Sequence, residues 1–238
     1  MNIRILRNVL EANDQMAARI RADLSARSIT AINIISSPGA GKTSLLEKTI
    51  PLLKSQHKIG VLEGDIATTR DAERIEKLGV PVIQLLTGGA CHLEAALIQR
   101  GLGELNLDAI NLLIIENVGN IACPAEFDLG ENAKVGILSV TEGHDKPAKY
   151  PLLFHEVAAL VLNKIDLLPY TDFDYAKFEA DFRKLNAAAP IFKLSCRTGE
   201  GLGDWVHWLE HVACGEIHVH PHTHSQVEGV EPHTHPHR

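Results

Sequence analysis

Seven short apolar runs rich in β-branched residues recur along the chain, at 31–35, 59–62, 82–86, 112–115, 135–140, 159–162 and 191–194. Both faces of each run are apolar, so each needs cover above and below, the environment of a strand in a parallel sheet rather than of a half-exposed hairpin. Helix-forming stretches separate them. One spans 68–78, where Thr68 and Asp71 predict a capping box and Gly79 with Pro81 ends the helix. The alternation predicts an α/β fold with a doubly wound, mostly parallel sheet. At 238 residues the chain is long enough to bury one substantial core without disulfides or structural metals.

Three segments differ in character. Residues 1–30 carry Ile3, Leu6, Leu10, Ala17, Ile20 and Leu24 at helical spacing, which predicts an amphipathic helix packed on its own domain or on a partner. Residues 31–215 form the globular unit. In 216–238 the composition changes to alternating histidines, His218, His220, His222, His224, His233, His235 and His237, with too few large apolar residues to build a core. That tail is expected to be disordered without metal and to bind divalent ions through its imidazoles. With 30 acidic against 23 basic residues and a net charge of -7, the chain lacks the basic footprint of a nucleic-acid or anionic-membrane binder. No apolar run approaches the roughly 20 residues that cross a bilayer. Met1-Asn2-Ile3-Arg4 does not open a secretory signal, so a cytoplasmic location is expected. Four scattered cysteines, Cys91, Cys123, Cys196 and Cys214, are too few for a disulfide framework.

Chemistry concentrates at the ends of the apolar runs. Ser36-Ser37-Pro38-Gly39-Ala40-Gly41-Lys42-Thr43 follows the first run and leads into a helix at Ser44-Leu45-Leu46-Glu47. In that context glycines let backbone N–H groups from Gly39 to Ser44 converge on phosphates, helped by the field of the helix N-terminus. Lys42 is expected to reach the β- and γ-phosphates and the Thr43 hydroxyl to bind Mg²⁺. Ser36 stands where the usual pattern has its first glycine. Asp65, after the second run, is assigned to Mg²⁺ or its waters, and Glu116 with the Gly119 amide to the γ-phosphate; either carboxylate is alternatively a helix cap. Lys42, Asp65 and Glu116 form the expected catalytic set, and which carboxylate orients the attacking water stays open. Asn163-Lys164-Ile165-Asp166 resembles the guanine loop of GTPases, with Asp166 accepting from guanine donors that adenine lacks. Ser195 and Cys196 are similar to the last base-contacting loop of such enzymes.

Cys91-His92 follows the third run and Cys123-Pro124 lies beyond the fourth. Thiolate and imidazole suit zinc, nickel or copper, but the spacing alone equally fits small buried cysteines in a core. Together with Asn8-Val9-Leu10-Glu11-Ala12-Asn13-Asp14, Glu63-Gly64-Asp65-Ile66-Ala67-Thr68-Thr69, Glu116-Asn117-Val118-Gly119-Asn120 and Thr141-Glu142-Gly143, these motifs resemble the HypB hydrogenase-maturation GTPases over nearly everything up to Cys214. The resemblance implies a SIMIBI-type P-loop GTPase using GTP/GDP and Mg²⁺. It also implies a Ni²⁺ or Zn²⁺ site at Cys91, His92 and Cys123 in a homodimer interface. As partners it implies a small zinc-containing nickel metallochaperone and the hydrogenase large-subunit precursor. Two departures stand out: the Cys-rich nickel motif that some members carry at the N-terminus is not in this sequence, and the histidine stretch that others have near that end lies here at the other end. A nickel or zinc storage protein with a regulatory GTPase domain and a urease-accessory GTPase are the competing readings. The Cys91-His92 and Cys123 pattern with residues 8–14 favours the hydrogenase branch.

Overall fold

The structure is a computed structural model that describes residues 2–215; the predicted histidine tail, 216–238, lies outside the described residues. Seven strands form one parallel sheet in the order β3-β2-β4-β1-β5-β6-β7. They are β1 Thr30–Ser36, β2 Ile59–Asp65, β3 Val82–Leu86, β4 Leu112–Gly119, β5 Ala133–Ser139, β6 Ala159–Asn163 and β7 Ile191–Lys193. The helices are α1 Asn2–Ala26, α2 Lys42–Leu53, α3 Arg70–Glu76, α4 Ala95–Glu104, α5 Cys123–Glu126, α6 Lys146–Lys149, α7 Pro151–Glu156, α8 Tyr175–Leu185 and α9 Leu202–Ala213. This is the doubly wound α/β architecture that the apolar runs predict. Among the described residues no helix is long and apolar enough to cross a membrane.

Strand alternation distributes the core between the two faces. Ile32, Ile34, Ile114, Val135 and Val161 pack under α2, α3 and α9 through Leu45, Ile50, Ile75 and Trp205. The opposite face divides: Ala31, Leu62 and Leu113 meet α1 and α4, whereas Ile35, Leu138 and Leu160 meet α7 and α8. The N-terminal helix is fastened to this second face by buried Ala17, Ile20 and Leu24. Asn13 adds polar fixings, donating to the Asp128 carbonyl at 2.8 Å and accepting from the Ala95 amide at 2.8 Å. Arg21 pairs with Asp128 at 2.5 Å.

Two details differ from the sequence expectation. β2 runs three residues and β4 four residues past their apolar runs, and Glu116 and Glu63 continue the ladder as Cα partners across the β2–β4 pair. The third helix is shorter than predicted and begins at Arg70 after Thr69, with no side-chain cap. The Thr68 hydroxyl instead donates to the Asp65 carboxylate, and the Thr69 hydroxyl donates to Glu73 at 2.7 Å. A carboxylate is a stronger acceptor for a hydroxyl than a neutral group, so the loop after β2 closes on Asp65 and the predicted capping box does not form.

Candidate functional site

The strand-to-helix turn after β1 is shaped by its glycines. Gly39 and Gly41 have φ of 76° and 109°, in the left-handed region. At Gly41 a Cβ would also lie 2.4 Å from the Asn163 side-chain nitrogen, so glycine is required twice over. Ser36 needs no glycine: it is still the last residue of β1, and its hydroxyl donates to the Ser37 carbonyl at 2.8 Å and accepts from Lys42 at 3.3 Å. Burial draws the Lys42 ammonium below its ordinary pKa, against the opposing field of Glu116.

The 163–166 segment is sewn to this turn. Asn163 donates to the Ala40 carbonyl at 2.9 Å and accepts from the backbone amides of Lys164 and Cys196 at 2.7 and 3.2 Å. Lys164, itself at φ 63°, donates to the Gly39 carbonyl at 2.7 Å. The Ser195 hydroxyl donates to Asp166 at 2.6 Å and accepts from the Thr198 amide at 3.1 Å, which fixes the carboxylate's direction. Gly39, Gly41, Lys42, Thr43, Ser44, Asn163, Lys164, Asp166 and Cys196 share the lining of one cavity of about 530 Å³, a size for a small-molecule ligand. Arg74, which sequence reasoning missed, also lines it. It bridges Glu47 at 2.7 Å and Asp71 at 2.8 Å and donates to the Ser44 hydroxyl at 3.2 Å. The bridge joins α2 to α3 across 27 residues and has no local signature in sequence.

A second cleft joins the first at Gly39 and Lys42 and contains Glu63, Asp65, Glu116 and Gly119. Gly119 lies against Pro38, where a Cβ would meet backbone at 3.1 Å. Glu116 accepts the Thr43 hydroxyl at 2.7 Å. Asp65 lines the same cleft, but its carboxylate is engaged by the Thr68 hydroxyl and the Ile66 amide at 2.5 Å. Glu63 is the residue that sequence reasoning left without a role: it is 2% exposed beside Glu116, also 2% exposed. Burial, reinforced by the Glu116 charge, raises the Glu63 carboxyl to about 8. Burial raises Glu116 to about 7, with Lys42 opposing. One oxygen of each carboxyl, Oε2, has no hydrogen-bond partner among the described residues. Two orphaned buried carboxyl oxygens beside a threonine hydroxyl are a hard oxygen set of the kind that Mg²⁺ takes.

On the far side of β4 the structure brings Cys91, His92 and Cys123 together, with candidate ligand atoms all within 4.8 Å of one another. The Cys91 thiol lies 3.7 Å from His92 Nδ1, and the imidazole stacks on Phe127 at 3.9 Å between centroids. Hydrogen bonding to the Cys123 thiol raises the Cys91 pKa. Two asparagines tie this cluster to β4: Asn117 accepts from the Leu93 amide at 3.3 Å, and Asn120 donates to the Cys91 carbonyl at 3.1 Å. A thiol and an imidazole on the loop before α4 and a thiol at the start of α5 form a donor set for a tetrahedral or square-planar borderline cation.

Comparison with known proteins identifies the fold and the family. Residues 30–193 match the CobW/HypB/UreG nucleotide-binding domain. The hydrogenase maturation factor HypB of Azotobacter vinelandii is 49% identical over 208 residues, covering 87% of this chain and 69% of the relative. The crystal structure of HypB from Helicobacter pylori in complex with nickel superposes with a TM-score of 0.84 at 36% identity, covering 89% of this chain and 99% of that one. HypB from Archaeoglobus fulgidus gives 0.80 at 37% identity, covering 86% and 100%. With half its sequence shared over most of its length, and the same fold, this chain belongs to the HypB family of hydrogenase maturation factors, within the CobW/HypB/UreG nucleotide-binding class.

Proposed function

We propose that the chain hydrolyses GTP to GDP and phosphate and uses the nucleotide state to time Ni²⁺ loading and release at Cys91, His92 and Cys123, for delivery to a hydrogenase large-subunit precursor. One observation carries the reading: a single segment accepts the Thr43 hydroxyl at Glu116 and, seven residues on, supplies the Cys123 thiol to the cluster. A shift of that segment with the γ-phosphate moves one ligand relative to the other two. Asn117 and Asn120 lie within it and bond the backbone beside His92 and at Cys91, so movement passes to both halves of the cluster.

In this reading the backbone amides from Gly39 to Ser44 cradle the phosphates, Lys42 neutralises charge on the transferred group, and Asp166 selects guanine. Thr43 and Glu116, with Glu63 or Asp65 beside them, would hold Mg²⁺, which supplies charge neutralisation at the phosphate oxygens when bound. Three donors in one chain leave a coordination position that a second copy completes in a homodimer. Zn²⁺ fits the same ligands. A small zinc-containing metallochaperone is the expected nickel donor. The nickel complex of the H. pylori relative supports nickel as cargo.

The test is a Ni²⁺ titration of full-length protein whose seven tail histidines are changed to Ala, with GDP and with a non-hydrolysable GTP analogue, before and after Cys123→Ser. Affinity should differ between the nucleotide states by about 1 to 3 kcal/mol, with the reciprocal effect of metal on nucleotide preference. Cys123→Ser should weaken binding and abolish the difference. Equal affinities in the two states of the unsubstituted cluster reject the timing role.

A further inference from the structure

Helix α9 carries a pair of metal donors that neither the nucleotide cleft nor the thiol cluster uses. His207 and His211 are four residues apart, so they lie on one helix face. Their Nε2 atoms meet at 3.1 Å, with rings at 89° and centroids 4.4 Å apart. The other face of α9 is locked into the core by Trp205, Trp208, Leu209 and Val212. Core packing therefore holds the histidine backbone positions, and the pair looks outward, His207 exposed and His211 half-buried.

Two imidazole nitrogens converging in this way make either an N–H···N bond or a chelate. With metal–nitrogen distances of about 2.0 to 2.1 Å, two nitrogens on one ion lie about 2.9 Å apart at a right angle and about 3.4 Å apart at the tetrahedral angle. The observed 3.1 Å falls between these limits. In the N–H···N arrangement one Nε2 carries the proton; when that ring takes its other tautomer, protonated at Nδ1, both Nε2 lone pairs address the same space and an ion can take the proton's place. Exposed Asp204 and Cys214 extend the same stripe by a turn in each direction, and the sequence resumes its imidazoles at His218, four residues after Cys214.

We propose that His207 and His211 form a second metal site, for a borderline divalent cation of the Ni²⁺ and Zn²⁺ class, anchored on α9. It is separate from the thiol cluster: α9 belongs to the layer of α2 and α3, whereas Cys91 and His92 precede α4 and Cys123 opens α5. Among the described residues the group of three donors is Cys91, His92 and Cys123. With two protein ligands, the α9 site binds less tightly and exchanges faster, which suits intake of an ion rather than its retention.

The test uses full-length protein with the seven tail histidines changed to Ala and with Cys91→Ser and Cys123→Ser, titrated with Ni²⁺ by calorimetry in the presence of GDP. It should bind one equivalent per chain, and adding His207→Ala with His211→Ala should weaken that binding about tenfold or more, the expected cost of losing a chelate of borderline ligands. Equal binding in both proteins, or none in the first, overturns the site. A measurement independent of any variant is the zinc-edge anomalous map of wild-type crystals soaked in Zn²⁺. A peak within bonding distance of both Nε2 atoms is expected, and its absence at saturating zinc also overturns the proposal. The nucleotide dependence of the thiol cluster is read in a different protein, so the two readings fail separately.

Discussion

The nucleotide floor and the thiol cluster flank the same strand, β4, and are held by different means. At the floor most candidate side chains have a fixed partner: Asn163 and Lys164 clamp the glycine turn, Ser195 directs Asp166, and Thr43 holds Glu116. In the cluster Cys91 is exposed, Cys123 opens a helix of four residues, and the ties to the rest of the molecule include two asparagine bonds and the stacking of His92 on Phe127. Phosphoryl chemistry gains from dipoles already in place when charge develops. A cargo site gains from ligands that can separate. The contrast implies that substitutions in the floor act on chemistry and affinity with little tolerance, whereas those in the cluster act on coupling.

Lys42→Ala should give the largest effect, a loss of GTP turnover of about 100-fold or more, since in the proposed function it removes the charge that neutralises the transferred group. Because burial already penalises its ammonium, the melting temperature should change little. Wild-type turnover by the folded variant would break the contrast at its firmest point. Asp166→Ala should weaken guanine nucleotide binding by about 1.5 to 3 kcal/mol and erase discrimination against ATP, both measurable by competition with a fluorescent nucleotide. Retained discrimination would reject the assignment of the base.

Glu63→Gln tests the cost of the floor's buried carboxyls. A carboxyl raised to about 8 binds its proton more tightly folded than unfolded. Its contribution to stability is thus complete below about 4.5 and is lost as the pH rises towards 8. The nucleotide-free, metal-free wild type should therefore lose stability across that window. The variant should show a flatter pH profile, a higher melting temperature at pH 8 and weaker protection by Mg²⁺. An unchanged profile would remove Glu63 from the site's electrostatics. Asn120→Ala should have a small effect on stability, about 0.5 to 1.5 kcal/mol for a lost hydrogen bond. It should still reduce the difference in Ni²⁺ affinity between nucleotide states. An undiminished difference would assign the linkage to Asn117 alone.

Much of the floor is legible in sequence because its devices are local. The glycines of 36–43 and the tetrapeptide at Asn163 each sit at the end of a run that is apolar on both faces, and one strand end predicts the next. What sequence hides is lateral. Glu63 meets Glu116 through the β2–β4 register, which no spacing along the chain reveals, although a Glu directly after a buried run is itself a signal. The shared clamp at Asn163, the Arg74 bridge and the asparagine ties to Cys91 and Leu93 are likewise contacts between distant segments. The start of α3 departs from its sequence signal for a related reason: the competing acceptor, Asp65, belongs to the preceding strand.

The strand order also has a consequence for synthesis. β1 is made first, but its neighbours are β4 and β5, and the intervening β2 and β3 pair elsewhere. When a ribosome has released the chain through β3, the strand that aims the glycine turn has neither flank in place, and Asn163 and Lys164 have not been made. Such distant pairings form late, because the connecting chain must be ordered before they repay its entropy. The emerging polypeptide therefore has no receptor for nucleotide until the segment through Cys196 is free, and nucleotide capture marks a sheet with all seven strands made.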